Sequence, residues 1–528
     1  MNLFNSVRIF KPKRNVFNLT HEVKFSFEFG NLVPFFCEEV VPDDTWKNSS
    51  EVFLRFAPML APVMHRVNVY THFFFVPNRI INNNWEEFIS PKNGGVSDIE
   101  MPTFNPKQIK SPIPFVNMGE GSLWDYLGLP PMTEQNAIDD EISLLPFLAF
   151  LKIYDEFYRD ENLEDPQFTD DLLDLEGSVK NTLTLTKLLI SRERAWAKDY
   201  FTSALPWTQK GPDVQLPLGG QADVILQRNN AGFKVQNATT GSAPAAGAIN
   251  VISNGVLGSG SAPYVLDPNG NLKADLSEAT STTINELRRA IKTQEFLEKD
   301  ARGGTRLTES LFAHFGVKSD DARLQRPEFL GGGKNPVTIS EVLQTSQTTE
   351  GESGSAQGTM AGHALSYGKN NAFKKYFKEH GWIIGIMSVM PRATYQQGIP
   401  KKFSRKDRFD YYWPEFARLG EQPILNKELY FQSTSPNGTF GYTPRYAEYK
   451  YIPSTVHGEF RSSLNFWHMG RIFGSAPALN KGFISFQKSE TTDRVFAVED
   501  AANEHLYCQV LNHTRAIRPM PKYGTPMI

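Results

Sequence analysis

The stretch from 401 to 413 is where residue types and spacing most invite chemistry. Lys401, Lys402, Arg405, Lys406 and Arg408 are interleaved with Phe403, Phe409, Tyr411, Tyr412 and Trp413. Cations neutralise phosphates and rings stack on bases, so this mixture can bind single-stranded nucleic acid. Arg, Tyr and Trp are also the anchoring types of protein interfaces. We favour the interface, with Arg405, Arg408, Tyr411, Tyr412 and Trp413 at its centre. Basic residues gather near both chain ends as well: Arg8, Lys11, Lys13 and Arg14 at one, Arg515, Arg518 and Lys522 at the other. Those seven are candidate contacts to DNA, through attraction that depends on salt and not on base sequence.

The search for catalytic and ligand motifs ends differently. Gly331-Gly332-Gly333-Lys334 lacks the first glycine of a phosphate-binding loop and is followed by Asn335, not Ser or Thr. No GxGxxG follows a strand, and no GxSxG or HExxH occurs. His457-Gly458-Glu459 matches the HxE of zinc deaminases, but no PCxxC follows. Asp267, Asn269, Asn271, Asp275 and Glu278 have the spacing of a calcium loop. Leu272, however, stands where that loop needs glycine, and a plain turn at Pro268-Asn269-Gly270 explains the segment. We therefore expect no catalytic centre, no metal and no cofactor. Paired carboxylates are set by the fold, and the sequence offers none by motif.

Composition limits the remaining choices. The 528 residues carry 55 basic and 58 acidic side chains, a net charge of −3, so contact with a polyanion has to come from local patches. Aromatic residues make up 12%, which favours strands and buried interfaces, and 34 prolines and 39 glycines imply many turns. Cys37 and Cys508 show no metal-ligand spacing. They can pair only if the chain ends meet, and a reducing compartment fits them better. The opening MNLFNSVRIFKPKRN lacks the apolar core of a signal peptide, and the longest apolar run, 382–390, is too short to span a bilayer. The expectation is a cytoplasmic protein with no membrane insertion.

Positioning elements follow from periodicity. In 21–29, Val23, Phe25, Phe27 and Phe29 share one face, and Glu22, Lys24, Ser26 and Glu28 the other, which predicts a half-buried strand. Residues 63–76 predict a strong strand, and 382–390, apolar on both faces, a covered central one. Alternation also predicts strands at 445–452, 483–487, 494–498 and 505–511. Between the strand-rich ends, Leu148, Leu151, Tyr154 and Tyr158 recur at helical spacing. Thr283 and Glu286 form a capping box, and Phe315-Gly316 marks a helix stop. Ten carboxylates between 155 and 176 face one Arg159. This reads as a solvated acidic face, with a cation or partner site as the sharper alternative. Residues 229–281, rich in Asn, Gly, Ala, Ser and Thr, cannot build much core alone.

Several long stretches resemble the capsid proteins of the gokushovirus branch of the microviruses. They include LVPFFCEEVVPDDTW (32–46), LAPVMHRVNVYTHFFFVPNR (60–79), LPWTQKGPDVQLPLG (205–219), DARLQRPEFLGGG (321–333), SEVLQTS (340–346), the run from His380 to Tyr430, and YTPRYAEYKYIPSTVHGEFR (442–461). They follow family order across most of the chain. The 229–281 segment and the acidic stretch do not match.

The resemblance implies a mainly β chain: one eight-stranded antiparallel jelly roll over 1–528, with long loop insertions containing some helices. It implies a virion protein, sixty copies of which form a T=1 icosahedral shell around circular single-stranded DNA, assembled in a bacterial cytoplasm. A small basic DNA-binding virion protein is an implied partner. The variable insertion is implied to lie outside, where Val251, Leu257, Tyr264 and Leu266 would gather with neighbouring copies and meet a host cell-surface receptor. The rival classes are a β-sandwich carbohydrate-binding or glycan-active protein, for which a secretion signal is expected, and a nucleic-acid enzyme, for which a metal or phosphate motif is expected.

Overall fold

The computed structural model describes residues 13–91, 98–109, 113–214, 284–343, 345, 359–498 and 504–523, with short stretches between 224 and 274. In chain order its principal strands are β1 (Asn15–Asn18), β2 (His21–Phe27), β3 (Val33–Val40), β4 (Thr45–Phe56), β5 (Val67–Pro77), β6 (Glu328–Pro336), β7 (Thr338–Leu343), β8 (Met360–Tyr376), β9 (Gly381–Pro391) and β10 (Leu506–Arg518). They form two antiparallel sheets. One has the order β1-β10-β4-β8-β7, with β2 also paired to β10; the other has the order β6-β5-β9-β3. The chain is thus mainly β, with helices in the loops between strands.

Side-chain alternation decides which face of each sheet meets the core. In β4 the apolar Trp46, Val52, Leu54 and Phe56 are buried, while Lys47 and Arg55 point to water. The strands β5 and β9 are buried on both faces, as the apolar run 382–390 predicted. One face of that sheet supplies Val69, Phe73, Phe75, Ile383 and Met387 to a core shared with β4 and β10. Phe73 sits there edge-on to Phe35 and Phe36, at ring distances of 5.4 and 5.8 Å. The opposite face supplies Phe74, Val76, Ile384 and Ile386 to a second core. That core is closed by α1 (Leu145–Ile153) and α2 (Thr182–Leu189). Apolar nearly all round, α1 is buried nearly all round and continues as a π-turn over Tyr154–Tyr158.

Gly331, Gly332 and Gly333 belong to this architecture and to no phosphate loop. They lie in β6, and a Cβ on Gly331 or Gly332 would strike the Ala372 or Thr71 carbonyl of a neighbouring strand. Cys37 and Cys508 are free and sit in different sheets, although β2 and β10 do bring the chain ends together. Burial pushes the Cys37 thiol up to about 12 and raises Cys508 as well.

The chain divides into two compact units, Met1–Thr208 with Asp300–Ile528, and Gln209–Lys299. The second contains the expected insertion 229–281. Within it, strands 250–251, 257–259, 262–266 and 235–237 pair in that order, and 272–274 pairs with 224–226. Val251 is opposite Leu257, Tyr264 opposite Asn237, and Leu266 opposite Val235. The helix α3 spans Ile284–Gly303, and its expected cap at Thr283 lies outside the described residues. The next helix, α4 (Leu307–Phe315), ends as expected on Gly316, at φ 69°.

Four expectations are corrected. Residues 445–452 do not form a strand: Tyr446 takes φ 61° and Ala447–Lys450 form one helical turn, which brings the Tyr446 and Tyr449 rings together at 6.0 Å. Residues 483–487 and 494–498 make single bridges only, since Lys481–Ile484 form a turn of helix capped by Asn480. The acidic stretch is not simply solvated. Arg159 binds Asp155 at 2.8 Å, Lys152 binds Glu156 at 3.0 Å, Arg306 binds Glu161 at 2.6 Å and Lys481 binds Glu164 at 2.6 Å. Asp165, Asp170, Asp171, Asp174 and Glu176 stay exposed.

The fourth is Glu28, which is buried where alternation put it in water. The strand stops at Phe27 and turns at Gly30, φ 80°. Glu28 accepts from His505 and Lys488, each at 2.8 Å. Burial raises its pKa, but the two cations outweigh that and hold it below its ordinary 4.5. Burial likewise lowers His505, but Glu28 outweighs it and holds the imidazole above its ordinary 6.5. The histidine contribution is therefore complete below 6.5 and is lost as pH rises through the raised value. The glutamate contribution is complete above 4.5 and is lost as pH falls through the lowered value. Urea midpoints should fall above pH 6.5, and His505→Gln should remove that fall. An identical decline in the variant would refute the assignment.

Candidate functional site

The 401–413 segment is held open by short-range hydrogen bonds in place of a strand or long helix. Three 3₁₀ turns, Lys401–Phe403, Arg408–Asp410 and Pro414–Phe416, follow one another. Asp407 caps the middle turn by accepting from the amides of Phe409 at 2.7 Å and Asp410 at 3.2 Å. Asp410 accepts from the Lys406 and Asp407 amides, which hold its carboxyl below the usual range. Pro414 at the start of the last turn fixes the backbone beyond Trp413.

This frame presents rings to solvent. Tyr412 is 50% exposed and Trp413 44%, and Phe403, Phe409 and Tyr411 are exposed beside them. The rings are nevertheless oriented. Tyr412 packs edge-on to Tyr446 at 4.9 Å, and the Trp413 Nε1 donates to the Arg408 carbonyl at 2.7 Å. Arg405 lies over the Tyr449 ring at 4.4 Å and 3.6 Å from Glu448. Its cation is thus used inside the cluster, while Arg408 is exposed over Phe409 at 4.7 Å. Leu419 and Ile452 add further exposed apolar surface. A contiguous patch of fixed aromatic side chains is what a protein interface uses for its anchors. The failed strand at 445–452 turns out to supply its backing rings.

The basic candidates near the chain ends separate into two kinds. Arg8 and Lys11 lie outside the described residues. Lys13 and Lys522 are exposed, and Arg515 points to water from β10. Arg14 donates to the Asp43 carbonyl at 2.8 Å and lies 5.7 Å from the Tyr376 ring centre. Arg518 is the counter-ion of the fully buried Asp44, at 3.1 Å, and covers the Trp46 ring at 4.9 Å. Its charge is therefore committed to the fold, whereas Arg515, three residues earlier on β10, is left for an external anion.

Among the described residues no group of three or more His, Cys, Asp or Glu could hold a metal, and no helix is long and apolar enough to cross a membrane.

A family model described as "Capsid protein (F protein)" matches residues 5–528. The capsid protein VP1 of Bdellovibrio phage phiMH2K is 38% identical over 531 residues, covering 97% of this chain and 95% of that protein. That of Chlamydia phage 1 is 36% identical over 597 residues, covering 99% and 97%. That of Spiroplasma virus 4 is 32% identical over 539 residues, covering 97% and 95%.

Proposed function

Given that the chain belongs to the phage capsid protein (F protein) family, as a major capsid protein of the gokushovirus type, we propose that sixty copies close into a T=1 icosahedral shell around circular single-stranded DNA. The observation that carries this reading is similarity to capsid proteins along nearly the whole length of both partners, which leaves no room for a separate catalytic module. The chain is then a structural subunit and not an enzyme.

The fold reading is one viral jelly roll spanning the chain. Counting β1 with β2 as one interrupted strand, and β7 as the continuation of β6 that pairs with β8 at the sheet edge, gives eight strands in the orders 1-8-3-6 and 2-7-4-5. Greek-key jelly rolls pair strands in this way. A closed shell repeats every contact by symmetry, and the fixed aromatic patch around Tyr412 and Trp413 suits one of those contacts. Lys13, Arg515 and Lys522, with Arg8 and Lys11, form the genome side of the reading. A small basic virion protein would share that task, and assembly would take place in the host cytoplasm. The insertion 229–281 would protrude and meet a host receptor.

Electron microscopy of the purified chain tests this reading: uniform small spheres are expected. A chain with residues 229–280 replaced by a Gly/Ser linker should still form spheres but attach less to host cells. Glycan, ester and nucleotide hydrolysis should stay at background. No spheres, together with a turnover abolished by one substitution, would overturn the proposal in favour of an enzyme.

A further inference from the structure

The sheet β1-β10-β4-β8-β7 has one face in the core and one face in water, and its register lines up charges that are remote in sequence. Arg515 on β10 is directly opposite Lys47 on β4, and Lys47 is directly opposite Lys374 on β8. All three point to water. Among the described residues none of them lies within ion-pair distance of a carboxylate. Directly opposed side chains on neighbouring strands sit about 5 Å apart, and like charges so placed repel. The fold bears that repulsion three strands wide.

The rest of the face follows a different rule. Glu51 takes up Lys369 at 2.6 Å and His513 at 3.1 Å, and Glu22 lies 3.4 Å from Lys24. The Arg515–Lys47–Lys374 row has no such partner, while Arg55, a further exposed cation of β4, lies over the Phe53 ring at 5.2 Å and lines the groove at the far end of the face. Next to the three-cation row, in the following one, Tyr376 is 45% exposed opposite Thr45. Its hydroxyl donates to Asp43 at 3.0 Å and Arg14 lies 5.7 Å from its ring centre, which adds a cation beside the row and leaves the other ring face for a base. Further along β8, Tyr367 is 65% exposed. At the other end of the face a groove of about 1080 Å³ contains Glu120, Asp125 and Glu504 in its wall, so a phosphate track would not continue there.

We propose that this row is a phosphate clamp for single-stranded DNA, with Tyr376 and Tyr367 as platforms for unstacked bases. The inference rests on the capsid reading and names the surface that would carry its genome contact. Charge complementarity selects a polyanion. The exposed rings select a single strand over a duplex, because only splayed bases present their faces for stacking.

The test uses unassembled full-length protein, a fluorescent thirty-nucleotide oligothymidylate and a series of salt concentrations. Each phosphate contact to a single strand contributes about −0.7 to the slope of log K against log salt. Changing Lys47→Gln, Lys374→Gln and Arg515→Gln together should therefore make the slope shallower by about 2. The charge-conserving set Lys47→Arg, Lys374→Arg and Arg515→Lys should keep it, which separates charge from folding. Tyr367→Ala with Tyr376→Ala should weaken oligothymidylate binding roughly tenfold or more, with the slope unchanged and duplex binding unaffected. An unchanged slope in the neutral triple variant overturns the clamp while leaving the capsid reading intact. If that variant forms no shells even without DNA while the parent does, the face is a contact between copies and the clamp is also overturned. If the parent itself forms no spheres, it is the capsid reading that fails.

Discussion

Replacing Arg471 with methionine should destabilise the subunit by about 3–5 kcal/mol, the usual cost of removing one partner from a buried ion pair. Arg471 is completely buried. Its Nε and Nη2 lie 2.9 and 2.8 Å from the Glu490 carboxylate, and its guanidinium is 4.4 Å from the Phe483 ring centre and 4.8 Å from that of Phe473. Methionine fills similar space but leaves Glu490 without its cation. Burial already holds Glu490 above its ordinary pKa, with Arg471 pulling the other way. In the variant that pull is gone. A carboxyl with a raised folded pKa binds more protons folded than unfolded, so stability falls as pH rises. The defect should therefore be smaller at pH 5 than at pH 8. Adding Glu490→Leu should recover most of the loss, because an apolar pair of similar volume is often as stable as the ion pair it replaces. Urea unfolding of the unassembled chain measures the parent and both variants. A single-variant loss under 1 kcal/mol, or no recovery in the double variant, would refute this account.

Changing Trp413 or Tyr412 to alanine should abolish particles while leaving the subunit folded. Interface anchors of this type contribute about 2 kcal/mol or more each. That is roughly a thirtyfold loss per contact, and a closed assembly repeats the loss in every subunit. Both side chains are half exposed, so the cost to the isolated fold is small beside the cost to assembly. Lys401→Ala with Lys402→Ala is the comparison. Lys401 donates to the Pro423 carbonyl, at 3.3 Å, and Lys402 is exposed. Sedimentation and microscopy should show particles for the lysine variant and none for the aromatic ones. If the lysine changes prove worse, and only when DNA is present, the segment is a nucleic-acid site and the interface reading falls.

Strands with strict alternation or two apolar faces could be read directly from sequence, as β2, β5, β9 and β10 show. The helix stop at Gly316 could be read for the same local reason. Residues 445–452 could not, because alternating tyrosines also suit a turn whose rings pack on Tyr412, and only tertiary contact decides between the two. The strand β8 was hidden by its glycines, its polar residues and a bulge between Asn370 and Phe373. The 401–413 patch was visible because its residues are consecutive. The row of Arg515, Lys47 and Lys374 was not, since its members are brought together only by the register of three strands. Arg518 and Arg515 are alike in sequence terms. The buried Asp44 tells them apart, and nothing in the local sequence marks that carboxylate as buried.

The position of β10 in its sheet has a consequence for biosynthesis. It lies between β4 and the pair β1 and β2, and its Leu506 pairs with Phe56, 450 positions earlier. Until β10 has been made, one edge of β4 and the inner edges of β1 and β2 have no hydrogen-bond partner in this sheet. A nascent chain therefore cannot complete the sheet from its early strands, however well they are formed. Closing so long a loop is slow, and open edges invite pairing with other chains. A product that stops short of Leu506 would carry that open edge permanently, so only chains translated through β10 can present the finished surface from which a shell is built.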